Sequence, residues 1–139
     1  MKGISVEEAR QVLADNFADW IQDLNLQIIS VEPDSLVMEM PFSDHLCRVG
    51  GMICGQSMVS ASDTAMVISV CSALGGFTPM GTVDLTSSFM RPISSEDVRL
   101  EARILRLGRT MAFCRTDISG KDSGKLSAFA TGTFALPPK

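Results

Sequence analysis

Between Arg48 and Asp84 the chain carries a single charged residue, Asp63. Within that interval, residues 52 to 74 form the longest apolar segment, in which Ala, Ser and Met stand where a surface helix would carry Lys and Glu. The segment is several times longer than an ordinary strand of about 5–6 residues, so it reads as a helix over about 53–74. With no broad charged face of its own, that helix is expected to be buried on nearly every side. A chain of 139 residues with 45% hydrophobic content can build one core around it, and the whole of 1–139 is read as a single domain.

The flanking segments supply the wrapping. Residues 5 to 24 carry a capping box, Ser5 with Glu8, followed by Val6, Ala9, Leu13, Phe17, Trp20 and Leu24 at helical spacing, which predicts one amphipathic helix. From residue 26 the period changes. Leu36, Met38 and Met40 alternate with Val37 and Glu39, and the Glu32-Pro33-Asp34-Ser35 turn makes a hairpin with the run before it. Four strand-like runs then follow the Gly75-Gly76-Phe77-Thr78-Pro79 break, over 82–90, 97–107, 110–119 and 126–136. Gly108-Arg109 and the Gly120 to Gly124 stretch provide turns, so these four are expected to form a meander. The fold class is α+β: an antiparallel sheet of about five to six strands around a long central helix, with a second helix at the N-terminus.

Charge narrows the function classes. The formal net charge is -4, and 12 Lys and Arg are scattered among 16 acids without a basic run, which argues against nucleic acid or an anionic membrane surface as partner. The first residues carry acids where a signal peptide needs an apolar core, and no stretch is expected to reach the roughly 18 apolar residues of a membrane span. A cytoplasmic location is therefore expected. Cys47, Cys54, Cys71 and Cys114 form no CxxC pair and mostly lie in apolar segments, so they read as buried free thiols. No metal or cofactor is expected.

The chemistry points to the central helix. A carboxylate among Met58, Val59, Ala61, Ala65, Met66 and Val67 is costly without a purpose or a partner, which makes Asp63 the leading candidate catalytic residue. Gln56, Ser60 and Asp63 stand at i, i+4 and i+7 and draw one polar stripe along the cylinder. The alternative is an Asp that hydrogen-bonds a loop. Gly50-Gly51-Met52-Ile53-Cys54-Gly55-Gln56 precedes or opens the helix and would leave first-turn N–H groups free for an anion or a polarised carbonyl, although two glycines also make an ordinary loop.

Four motifs together carry a resemblance. They are Gly50-Gly51-x-x-x-Gly55 followed by Asp63-x-Ala65; Thr82-Val83-Asp84-Leu85 followed by Phe89-Met90-Arg91-Pro92; Leu107-Gly108-Arg109-Thr110-x-Ala112-Phe113; and Gly124-Lys125-Leu126-x-Ala128. In this order, over roughly residues 36 to 136, they resemble the phenylacetate-degradation type of hotdog-fold thioesterase. The resemblance implies hydrolysis of acyl-CoA thioesters to free acid and CoA, with Asp63 as general base or nucleophile. It also implies that the Gly55 N–H polarises the carbonyl and that Thr82 orients the water or the acid. The sequence departs from the family pattern at Cys54, where many relatives have His, at Arg48, where many have Asn, and at Gln56, which replaces a second glycine; all three positions would meet substrate.

For the nucleotide of CoA, Arg91, Arg106, Arg109, Lys121 and Lys125 fall near strand ends and turns, with Arg91 and Arg109 the leading pair. Met52, Met58, Met66, Met80 and Met90 suggest adaptable walls for an acyl chain that the sequence does not identify. Two rival readings remain. One is a non-catalytic module that binds acyl-CoA. The other is a hotdog dehydratase or hydratase, which would need His45, the sole histidine, beside a helix acid; a Cys54 and His45 nucleophile pair is a further possibility on paper. Assembly follows from helix geometry. Gly55 and Asp63 are about 12 Å apart along one helix, too far to serve one carbonyl, so a working site requires two copies of the chain. The resemblance implies a homodimer, often doubled to a tetramer.

Overall fold

The computed structural model describes residues 1–138. Its first helix, α1 (Val6–Asn16), begins as the capping signals dictate: the Glu8 N–H donates to the Ser5 hydroxyl at 3.0 Å and the Ser5 N–H to the Glu8 carboxylate at 3.1 Å. It does not continue to residue 24. Phe17 is extended, and a four-residue turn of helix, α2 (Asp19–Gln22), restarts after Ala18. The break is made locally, by Asn16 bonding back to the Val12 carbonyl and by the Gln22 amide donating to the Leu13 and Phe17 carbonyls. Its effect is to turn Ile21 and Leu24 into the core while Trp20 stays 59% exposed. A single helix would have placed all three on one face.

Strands β1 (Gln27–Glu32) and β2 (Ser35–Met40) form the expected hairpin around Pro33-Asp34, and Leu36, Met38 and Met40 point into the core. The central helix α3 spans Gly55–Leu74. It starts two residues later than the helix expected from about residue 53 because Met52 and Ile53 are held in extended bridges to Ser94 and Cys47. The remaining strands are β3 (Gly81–Phe89), β4 (Val98–Leu107), β5 (Met111–Gly120) and β6 (Leu126–Ala135).

All six strands lie in one antiparallel sheet in the order β1-β2-β4-β5-β6-β3. Only β4, β5 and β6 form the meander. β3 is not beside β4; it pairs with β6, Leu85 opposite Gly132, and forms an edge of the sheet. The reason lies in the connections. β4 to β5 and β5 to β6 are joined by short Gly-containing turns, whereas residues 90 to 97 form a longer link that carries the chain across to pair β4 with β2.

The sheet curls around α3, whose Ala61, Ala65, Met66, Ile68 and Val70 are fully buried. Close approach is permitted by Gly132 on β6, where an added Cβ would stand 3.0 Å from the Met66 methyl and from the Phe134 ring. The buried hydroxyls of α3 are mostly satisfied within the helix, Ser62 by the Met58 carbonyl and Ser69 by the Ala65 carbonyl. By length and composition α3 does reach a membrane span, contrary to the sequence expectation, but most of it is buried under the sheet. Cys71 and Cys114 are buried thiols, Cys114 pushed up to about 12 by burial, while Cys47 and Cys54 are only half-buried.

Candidate active site

Asp63 lies on the polar stripe of α3, half-buried, and its carboxylate accepts a hydrogen bond from the Thr82 hydroxyl at the start of β3, 3.0 Å away. The side chain is thus fixed from across the helix–sheet boundary. Burial pushes its carboxyl above the ordinary aspartate value, and the Thr82 hydrogen bond pulls it part of the way back. A carboxylate held in this way has the rising basicity that proton abstraction uses.

The N-terminus of α3 is the second component. Gly50 and Gly51 both adopt positive φ, 105° and 80°, turning the chain so that Cys54 becomes the N-cap. The Cys54 side chain makes no capping bond, so the first-turn N–H groups, that of Gly55 among them, remain directed out of the helix with the positive end of its dipole. Phe89, at the far end of β3, packs on this terminus. A Cβ on Gly55 would stand 3.3 Å from the Phe89 ring, tighter than most real contacts, so glycine is what allows the ring to lie there.

A groove of about 390 Å³ opens beside Gly55, walled by Met52, Met58, Phe89 and Met90 and rimmed by Arg48 and Arg91. The Arg48 guanidinium is partly committed, donating to the Val49 carbonyl at 3.0 Å and resting on the Met52 sulfur at 3.5 Å. Of the other methionines, Met66 is fully buried and Met80 packs on the core, so the structure sorts wall from filling. From sequence, Phe89 is marked only as part of the Phe89-Met90-Arg91-Pro92 motif, with no role of its own.

Cys54 and Gln56 line a groove shared with His45, Trp20 and Ser60, while Gln56 and Ser60 also line one with Gly55 and Phe89. No hydrogen bond joins Cys54 to His45 among the described residues, and Asp63 does not line the groove of His45. Arg109 is separated from Arg91. The two lie beyond opposite ends of β3, whose nine residues span about 30 Å. Arg109 instead lines a cleft with Lys2 at the C-terminal end of α3. Among the described residues no cluster of three or more His, Cys, Asp and Glu could hold a metal ion.

Comparison with known proteins agrees with this fold. Residues 50–127, more than half of the chain, match the model of a family described as the thioesterase superfamily. Acyl-coenzyme A thioesterase 13 of Mus musculus is 28% identical over 103 residues, 73% of this chain and 72% of that protein. Among solved structures, zebra fish thioesterase superfamily member 2 superposes with a TM-score of 0.85 at 25% identity, covering 96% of this chain and 99% of that one. The Mus musculus thioesterase superfamily member 2 gives 0.83 at 26% identity over 95% and 97%.

Proposed function

Because the chain belongs to the thioesterase superfamily, we propose that it hydrolyses acyl-CoA thioesters with Asp63 as the catalytic carboxylate. The observation that carries this reading is the Asp63–Thr82 pair: the one carboxylate of a buried helix, raised in basicity by burial and aimed by a hydroxyl from another element. The name of the mouse relative, an acyl-coenzyme A thioesterase, supports CoA as the thiol.

The thioester carbonyl docks on the Gly55 N–H, where oxyanion charge developing on the oxygen meets the positive end of α3. Asp63 either draws a proton from water as that water attacks the carbonyl carbon, or attacks the carbon itself to give an anhydride that water then opens. In the first route the proton that Asp63 takes passes to the departing thiolate as the C–S bond breaks; in the second the thiolate leaves as the anhydride forms and takes up a proton released when water opens that anhydride. Eight residues of helix place Gly55 about 12 Å from Asp63, so the two groups meeting one carbonyl come from two copies of the chain. The unpaired edge of β3, with Val83 59% and Phe89 50% exposed, is the surface on which a second copy would complete the site.

A panel of short, aromatic and long acyl-CoA substrates, followed by thiol release, tests the reading. Asp63→Asn is expected to keep the fold and lose at least about two orders of magnitude in turnover. Near-normal turnover in that variant would sink the assignment.

A further inference from the structure

With no side-chain cap on α3, the direction of the Gly55 N–H is set by the backbone that leads into the helix. That lead-in is held from both sides. The Cys54 N–H donates to the Leu46 carbonyl at 2.8 Å and the Ile53 N–H to the Ile93 carbonyl at 2.9 Å, while Met52 is bridged to Ser94. Ile93 and Ser94 belong to the link of residues 90 to 97, which is itself tied at both ends. At its start the N–H groups of Met90 and Arg91 share the Ser127 carbonyl of β6, at 2.8 and 3.1 Å. Toward its far end one carboxylate oxygen of Glu96 accepts the N–H groups of Asp122 and Ser123, in the turn after β5, at 2.9 and 3.0 Å. Gly120 makes room for this, since a Cβ there would run into the Glu96 carboxylate. Asp97 is fixed separately: its carboxylate accepts from the Phe42 N–H at 2.7 Å and its carbonyl from the Lys121 N–H at 2.8 Å. Between the Met52 bridge and these anchors stands Ser95, a non-glycine residue with a φ of 57°. A side chain keeps that left-handed backbone where its surroundings impose it.

We infer that Glu96 is a positioning residue for the Gly55 N–H, acting through Ser94 and Ile93 on Met52 and Ile53; the inference rests on the thioesterase reading above. Glu96 lines neither groove beside Gly55, so it is not a contact of the substrate. Its place is mechanical. While its carboxylate holds the turn after β5, the joint at Ser95 stays in its left-handed form and Ser94 stays against Met52. Without that hold, Ser95 relaxes to negative φ, the Met52 bridge opens and the Ile53 N–H loses the Ile93 carbonyl. The Gly55 N–H, two residues further on, then turns away from the line on which a carbonyl oxygen approaches it. A donor aimed in advance at developing charge stabilises the transition state more than the bound ester. The loss therefore falls on kcat and leaves KM nearly unchanged.

Glu96→Ala and Glu96→Gln in the full chain test this. Glu96→Ala is expected to lower kcat for acyl-CoA about tenfold, with KM within about twofold of the wild type. Hydrogen exchange at the Ile53 amide should quicken at least about tenfold in the same variant. Glu96→Gln keeps an acceptor oxygen for the Asp122 and Ser123 N–H groups, so it should bring both readouts back toward the wild type. If Glu96→Ala does not fold, Gly120→Ala, which displaces the carboxylate without removing it, is read in the same way. Unchanged exchange at Ile53 would overturn the inference. So would faster exchange with kcat unaffected, which would leave Glu96 an anchor of its turn alone, or a rise in KM with kcat held, which would make the link a wall of the groove. If the wild-type protein hydrolyses no acyl-CoA while exchange at Ile53 responds to Glu96→Ala, the thioesterase reading fails and the coupling of Glu96 to the helix entry stands.

Discussion

At the scale of single residues, the environment of Asp63 sets the pH behaviour. Its carboxyl titrates above the ordinary aspartate value because burial disfavours the charge. The acidic limb of kcat/KM should therefore lie above the pH at which an exposed aspartate titrates, with activity falling as pH drops through it. Thr82→Val removes the hydrogen bond that holds the value down, so the limb should move to higher pH still; a limb that stays put would show that Thr82 does not govern the ionisation. Stability should follow the opposite sign. A folded-state value raised above the unfolded one favours the fold at low pH and loses that contribution as pH rises through the raised value. Asp63→Asn is thus expected to melt higher than the wild type at pH 7, with the gap closing toward pH 4, as thermal scans would report. Asp63 was legible from sequence because a charge in an apolar run needs no structure to stand out. The cleft of Lys2 and Arg109 was not, since residues 107 positions apart meet only after the sheet has closed.

Among the elements, α3 and the alternating strands could be read from periodicity, and the capping box marked the start of α1. The break at Phe17 was hidden because an apolar residue at the right spacing continues a helical pattern whether or not its backbone is helical. The position of β3 was hidden as well, since alternation reports which face of a strand is buried and says nothing of its neighbour. Packing of α3 against the sheet makes its own prediction. Met66→Ala, at a fully buried site, should cost about 2–5 kcal/mol in urea unfolding, and Gly132→Val, which drives a side chain at the Met66 methyl, about 1–3 kcal/mol. Combined, the two should cost less than the sum of the singles, because the new bulk enters the space that the methionine leaves. Strict additivity would mean that Gly132 is needed for something other than room.

For the whole molecule, the proposed site requires two chains. An Asp63→Ala chain still offers its Gly55, and a Gly55→Pro chain still offers its Asp63, so folded mixed dimers of these two inactive proteins should regain activity at one site of two. Absence of activity in verified heterodimers would count against the shared site, as would a fully active monomer. The spacing of Gly55 and Asp63 on one helix also has a genetic meaning. A chain carrying either lesion alone, paired with a wild-type chain, leaves one site whole. A chain carrying both lesions spoils both sites of every dimer it enters, so with equal expression only about a quarter of the dimers would work, and the doubly altered allele should behave as dominant where each single one is close to recessive.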